Sequence, residues 1–244
     1  MLPDEREALA RQLYTVHAQI FAGLDYEGFR KYVVERPSWH TWIYVRHNMS
    51  HQLVGYTAIH EFRLKLKGEP STVIRMEAGT LPSARGRDLT MVYGLMRLLR
   101  IWLRHPFQRV CMFAALTHPS SYTFLARYAP VIFPHSSLEE VPPSVMGQME
   151  ELAEGFGLER VDEKNPLLRR VDWITLETDS ERARWQASTR ADTRFYIANN
   201  PGYPQGHGLC TLIPLNGLIV FQCLTRFLWG RAGRLTRLAL GRPI

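Results

Sequence analysis

Residues Val73–Trp102 read VIRMEAGTLPSARGRDLTMVYGLMRLLRIW: an apolar strand, a turn of small and basic residues, then an apolar-faced helix. The first N–H groups of a helix have no intrahelical partner, so a strand feeding through exposed amides into a helix makes an anion site. Ser83, Ala84 and Gly86 are small enough for a ligand to approach the backbone. Arg85 and Arg87 bring guanidinium groups whose paired donors match phosphate oxygens. A helix predicted over Leu89–Arg104 points its partial positive end at the same place, and Asp88 suits its N-cap. The alternative is a tight strand-to-helix turn carrying solvated arginines.

Outward from this stretch, Leu9, Leu13, Val16 and Ile20 recur at spacings of three and four, predicting a helix over 4–21 with one buried face. Leu24–Val34 continues as a second helix after Gly23. His40–His47, Leu53–Leu66 and Thr72–Thr80 are rich in β-branched and aromatic residues and read as a three-strand antiparallel meander joined by short polar turns. Pro106 stops the helix after the turn. Arg109–Leu116 is nearly all apolar, as a strand covered on both faces should be. A helix follows over Ser120–Tyr128 with Pro119 in its first turn, then a short helix near Ser144–Gly155 and a strand near Val171–Glu177. The order predicts an α/β fold, a mixed, largely antiparallel sheet flanked by helices.

The chain has 244 residues, 45% of them hydrophobic and 22% charged, a globular composition long enough for a full core. Cys111, Cys210 and Cys223 form no CxxC pair and sit in apolar runs, which suits buried reduced thiols. The opening MLPDEREALARQ is charged and helical rather than a signal peptide, so a cytoplasmic setting is expected. The net charge of +7 is concentrated after Asp192, the last acidic residue, where Arg194, Arg226, Arg231, Arg234, Arg237 and Arg242 follow. The body is therefore nearly neutral, which argues against a nucleic-acid partner. His47 and His51 have the spacing of a helical metal pair but span a turn, where that spacing loses its meaning; no metal is expected.

The run Arg85-Gly86-Arg87-Asp88-Leu89-Thr90, set between this strand and this helix, resembles the pyrophosphate turn of the GNAT acyltransferase superfamily. Asp88 and Thr90 replace the two small residues of that family's pattern. The resemblance covers roughly residues 40–135 and implies acetyl-CoA or a longer acyl-CoA as co-substrate. Its cofactor-binding run would be Gly79, Thr80, Leu81, Arg85, Gly86, Arg87, Asp88, Leu89 and Thr90. It implies a GNAT-like domain over 1–180 and a C-terminal extension over 181–244, apolar then Arg-rich.

Acyl transfer to an amine needs a base for the ammonium proton and an acid for the leaving thiolate. The resemblance assigns the base to Glu77 in IRMEAG, with Glu61 beside His60 as understudy. Met76 and Ala78 flank Glu77, so desolvation is expected to raise its pKa. The structural alternative is a carboxylate facing solvent or paired with Arg75 or a neighbouring strand. The same resemblance assigns the acid to Tyr128, with Tyr122 open as an alternative and Ser121 where the family has asparagine.

Leu209–Thr225 holds no charge, and Pro214, Asn216, Gly217 and Gln222 interrupt it, so it is too short and polar to span a bilayer. A buried core segment, peripheral membrane association and a partner surface all fit. Asn200–Gly208 reads as a turn-rich loop able to lie over a substrate site. The expected activity is acyl-CoA-dependent N-acylation by direct attack of a small-molecule amine. The alternatives are long-chain transfer from acyl-CoA or an acyl carrier protein to an amino acid or similar small amine at a membrane surface, and a non-catalytic acyl-binding or interaction module.

Overall fold

The computed structural model describes residues 2–85 and 90–239, with side chains described outside 90–93 and 231–239. Its centre is the predicted meander: β2 (His40–His47), β3 (Leu53–Leu66) and β4 (Glu69–Thr80), antiparallel throughout. Each turn has a local cause. Asn48 accepts from the amides of Ser50 and Gln52 through its side-chain oxygen, both at 2.9 Å. Lys67 and Gly68 both take positive φ, 50° and 81°, the two-residue hairpin geometry that matches strand twist.

After α3 (Thr90–Arg104), β5 (Arg109–Leu116) lies parallel to β4, and β8 (His207–Leu215) and β6 (Leu168–Arg170) complete a mixed sheet of order β2-β3-β4-β5-β8-β6. β1 (Phe21–Ala22) and β7 (Ile174–Thr175) form a separate antiparallel pair. The expected class, a largely antiparallel α/β sheet flanked by helices, is what the chain adopts.

Strand periodicity sorts the helices into two layers. Tyr56, Ala58, His60 and Phe62 alternate onto one face of β3. That face meets α1 (Pro3–His17), α2 (Tyr26–Phe29) and the π-helical turn Arg30–Val34, whose Leu13, Phe29 and Val33 are fully buried. Phe156, following α5 (Pro143–Gly155), closes the same face against Phe62 at 5.0 Å between rings. The other face carries Ile74, Met76, Met112 and Ile213 and meets α3, α4 (Pro119–Tyr128) and α8 (Gly217–Ala239). Truncating a fully buried residue such as Leu13 or Ile101 to alanine should cost about 2–5 kcal/mol.

Several expected bounds move. The helix predicted over 4–21 stops at His17, because Ile20 and Phe21 turn into the pairing with β7. Of the strand expected near 171–177 only Ile174–Thr175 (β7) forms; β6 lies just before that range, and Asp172 between the two takes φ 59°. β8 hydrogen-bonds between β5 and β6, so the sheet runs across the expected boundary at 180. The charge-free run 209–225 divides at Asn216, whose side chain accepts from the Ile219 amide at 2.8 Å and starts α8. α6 (Asp179–Gln186) and α7 (Ala191–Asn199) had no counterpart in the sequence reading.

Candidate functional site

β4 and β5 pair over a short stretch and then part. Ser71–Ile74 register with Arg109–Met112, while β4 runs on to Thr80 and β5 to Leu116. The resulting fork leaves the β5-facing edge of Arg75–Thr80 without a ladder partner among the described strands. Alternate residues at its vertex point to opposite faces. Met76 lines an apolar cavity of about 90 Å³ walled by α3, α4 and α8, and Glu77 points into the α1–α2 layer.

Glu77 is buried beside three basic groups. His60 Nε2 lies 3.1 Å from Oε2, Arg36 Nη1 3.3 Å from Oε1 and Arg75 Nε 3.9 Å from Oε1. Burial alone would raise the carboxyl pKa, but His60, Arg36 and Arg75 together outweigh it, and Glu77 titrates below its ordinary value. This overturns the desolvation expectation: the flanking Met76 and Ala78 matter less than the cations opposite. Glu77 is therefore ionised at neutral pH, and its link to Arg75 is the one the structural alternative anticipated.

The basic partners are themselves held. His60, fully buried, has Nδ1 2.8 Å from Thr41 Oγ1, which is 2.8 Å from Ser38 Oγ. A continuous polar chain thus runs from Glu77 to Ser38 and Thr41, which line a surface cleft of about 700 Å³. Arg75 donates to the Tyr32 hydroxyl at 2.8 Å and lies 4.7 Å from the Phe156 ring centroid. Arg36 sits 4.1 Å over Tyr32 and lines both that cleft and a second of about 770 Å³, bordered by Tyr32, Phe62 and Phe156. Stacking on rings supports a buried guanidinium that one carboxylate could not neutralise alone.

The remaining expected residues are distributed as follows. Glu61 is buried on the opposite face of β3 from Glu77, within 3.6 Å of Arg63 and 3.7 Å of His105. Tyr128 is buried beside the apolar cavity, 5.2 Å from Phe124 and 5.4 Å from Phe227 between ring centroids, on the other side of the sheet from Glu77. Tyr122 donates to the Pro134 carbonyl at 2.9 Å, a structural bond, and Ser121 is exposed.

Gly79 is needed where it stands, since a Cβ would meet Ile20, Phe21 and Tyr56 at 3.1 Å. The Thr80 carbonyl accepts from Arg85 Nε at 3.4 Å, and the Leu81 amide already donates to Val54. Arg46 anchors the turn through the Ala84 carbonyl at 2.6 Å, and Arg85 lies 3.8 Å from Glu181. Gly86, Arg87, Asp88 and Leu89 lie outside the described residues, as does the side chain of Thr90, whose backbone opens α3.

Past the end of β5, His118 Nδ1 accepts from the Ser120 amide at 3.2 Å, and Nε2 lies 3.2 Å from Glu177. Burial holds His118 below its ordinary pKa, partly offset by Glu177. The same His-x-Ser geometry recurs at His135–Ser137, which marks it as a helix or turn cap rather than an activated serine.

The three cysteines are buried, and desolvation pushes Cys111 and Cys210 up to about 12 and Cys223 to about 11, so all are thiols. Among the described residues no group of three His, Cys, Asp or Glu could hold a metal ion. The Asn200–Gly208 loop is pinned rather than mobile in design, with Asn200 donating to the Tyr196 hydroxyl at 3.0 Å and the His207 carbonyl at 2.9 Å. Arg36 and Tyr32 carry no signal in the sequence, being far from Glu77 along the chain. No known protein-family model matches this chain, and no curated protein matches it.

Proposed function

We propose that the chain is an acyl-CoA-dependent N-acyltransferase in which an amine attacks the thioester directly. The observation that carries this reading is the fork between β4 and β5, with an apolar cavity on one face of its vertex and an ionised carboxylate on the other. An extended amide-bearing arm, such as that of CoA, can pair with the open strand edge as an added strand would. The acyl group then enters the cavity lined by Met76, Met112 and Ile213, whose volume suits a short chain. The turn at Pro82–Arg85 lies between the fork and α3, and the first amides of a helix, which have no intrahelical partner, favour a diphosphate.

In the reaction, the amine nitrogen forms a bond to the thioester carbonyl carbon and the C–S bond breaks. Glu77 accepts the proton the amine loses, and the chain His60–Thr41–Ser38 offers that proton a route to the surface cleft. Tyr128, on the donor side of the sheet, supplies the proton the thiolate takes up. The amine enters by a cleft that Arg36 lines on the Glu77 side.

The cations crowding Glu77 favour a second reading, a non-catalytic acyl-binding module in which this carboxylate is a structural counter-ion. Thermal unfolding with CoA and with acetyl-CoA, alongside thiol release over a panel of amines, separates the two. Stabilisation by both ligands with amine-dependent thiol release supports the transferase, stabilisation without thiol release supports the binding module, and no stabilisation overturns both.

A further inference from the structure

Acidic residues are unevenly divided among the helices. α3, α4 and α8 contain no aspartate or glutamate. Arg100, Arg104, Arg127 and Arg226 stand exposed on them, and arginine recurs at 231, 234 and 237 along α8. On the opposite layer, α1 opens with Asp4, Glu5 and Glu7, and α5 carries Glu150, Glu151 and Glu154. The surface formed by α3, α4 and α8 is therefore basic, with the acidic Asp192 of α7 at its α4 border.

That same side exposes large apolar side chains. α8 buries Ile219, Val220, Cys223 and Phe227 against the sheet, yet its outer surface presents Leu218, Phe221, Leu228 and Trp229, the last 79% exposed. Leu103 of α3 and Phe107 just beyond it extend the exposed set, and Gly217 packs on the Trp102 ring where the two helices meet. A helix that is apolar on both sides belongs in contact on both sides.

We infer that the α3–α4–α8 layer rests on an anionic lipid bilayer, its aliphatic and aromatic side chains entering the headgroup boundary while its arginines meet the phosphates. No helix among the described residues is long and apolar enough to cross a membrane, so this contact lies in the plane of the surface. Charge selects the occupant. A nucleic acid would satisfy the arginines but leave Leu218, Phe221 and Trp229 in water. A second copy would bring its own arginines against these, a like-charge contact. Anionic lipid answers both features at once.

The test is flotation of the full chain with vesicles of phosphatidylcholine alone and of equimolar phosphatidylcholine and phosphatidylglycerol. The expected result is recovery with the anionic vesicles only, falling as salt rises. Phe221→Glu combined with Trp229→Glu, and separately Arg100→Glu combined with Arg104→Glu, should each lower recovery at least about tenfold with unchanged melting temperature. Equal recovery on both vesicles, no recovery on either, or undiminished recovery of the two variants overturns the proposal. So does a dimer in sedimentation equilibrium that Phe221→Glu dissolves, or RNA binding that survives that substitution.

Discussion

His60 and Glu77 meet diagonally across β3 and β4: the register pairs His60 with Arg75 and Ala58 with Glu77, yet His60 Nε2 lies 3.1 Å from Glu77 Oε2. Both side chains share one face of the sheet, where diagonal neighbours come within reach of long side chains. The carboxylate is thereby fixed by a ring that is itself fixed by Thr41.

Glu77→Gln removes the negative charge and leaves Arg36 and Arg75 buried without it, a loss of about 3–5 kcal/mol in urea unfolding at neutral pH. Because Glu77 titrates below its ordinary value when folded, its contribution is present above the unfolded carboxyl pKa and fades as pH falls through the lower folded value. The gap between parent and variant should therefore narrow on acidification. Turnover should drop by roughly 10²–10⁴-fold with CoA affinity intact; unchanged turnover removes Glu77 from the chemistry.

Thr41→Val cuts the polar chain between His60 and Ser38, whereas Thr41→Ser keeps it. If this chain carries the proton outward, the valine variant should show a lower rate and a displaced pH–rate profile, and the serine variant should restore both. A profile that stays in place for valine shows that Thr41 only packs.

Tyr128→Phe deletes a hydroxyl beside the apolar cavity without changing the ring contacts to Phe124 and Phe227. The expected result is slower thiol release. Leaving groups of lower pKa should suffer less from the change, which a series of activated thioesters would measure; equal loss across the series refutes an acid role.

His17 supplies a pH switch in stability that is independent of catalysis. Burial pulls its pKa from 6.5 down to about 4, with Nδ1 2.8 Å from the Tyr56 hydroxyl. The unfolded chain takes up the proton first, so stability is full above pH 6.5 and declines as pH falls toward about 4, by roughly 3 kcal/mol in total. His17→Gln should flatten that part of the stability curve, read from urea midpoints across the interval.

Gly94→Ala places a methyl 3.6 Å from Met76 Cε, an ordinary contact at the wall of the apolar cavity. Replacing a mid-helix glycine should raise stability by about 0.5–1 kcal/mol. The narrower cavity should favour acetyl over longer acyl donors, measured as a ratio of kcat/KM values. An unchanged ratio places the acyl group elsewhere.

The meander was legible because β2, β3 and β4 follow one another with β-branched residues and short polar turns, all local signals. Arg75 beside Glu77 was legible from spacing alone, since residues two apart share a strand face. Arg36 could not: its approach to Glu77 depends on how the π-helical turn after α2 packs over the sheet. β8 was hidden for another reason. Its apolar residues continue without a charge into α8, and the Asn216–Gly217 break reads as an interruption of one segment until the Ile219 amide is seen capped.

The position of β8 has a cost during synthesis. The long edge of β5, from Val110 to Leu116, finds its partner nearly a hundred residues later, at Leu209–Leu215. A nascent chain halted anywhere between would present an unzipped apolar ribbon to water or to a chaperone. A separately supplied peptide of residues 207–215 would then be the natural plug for a chain truncated before it.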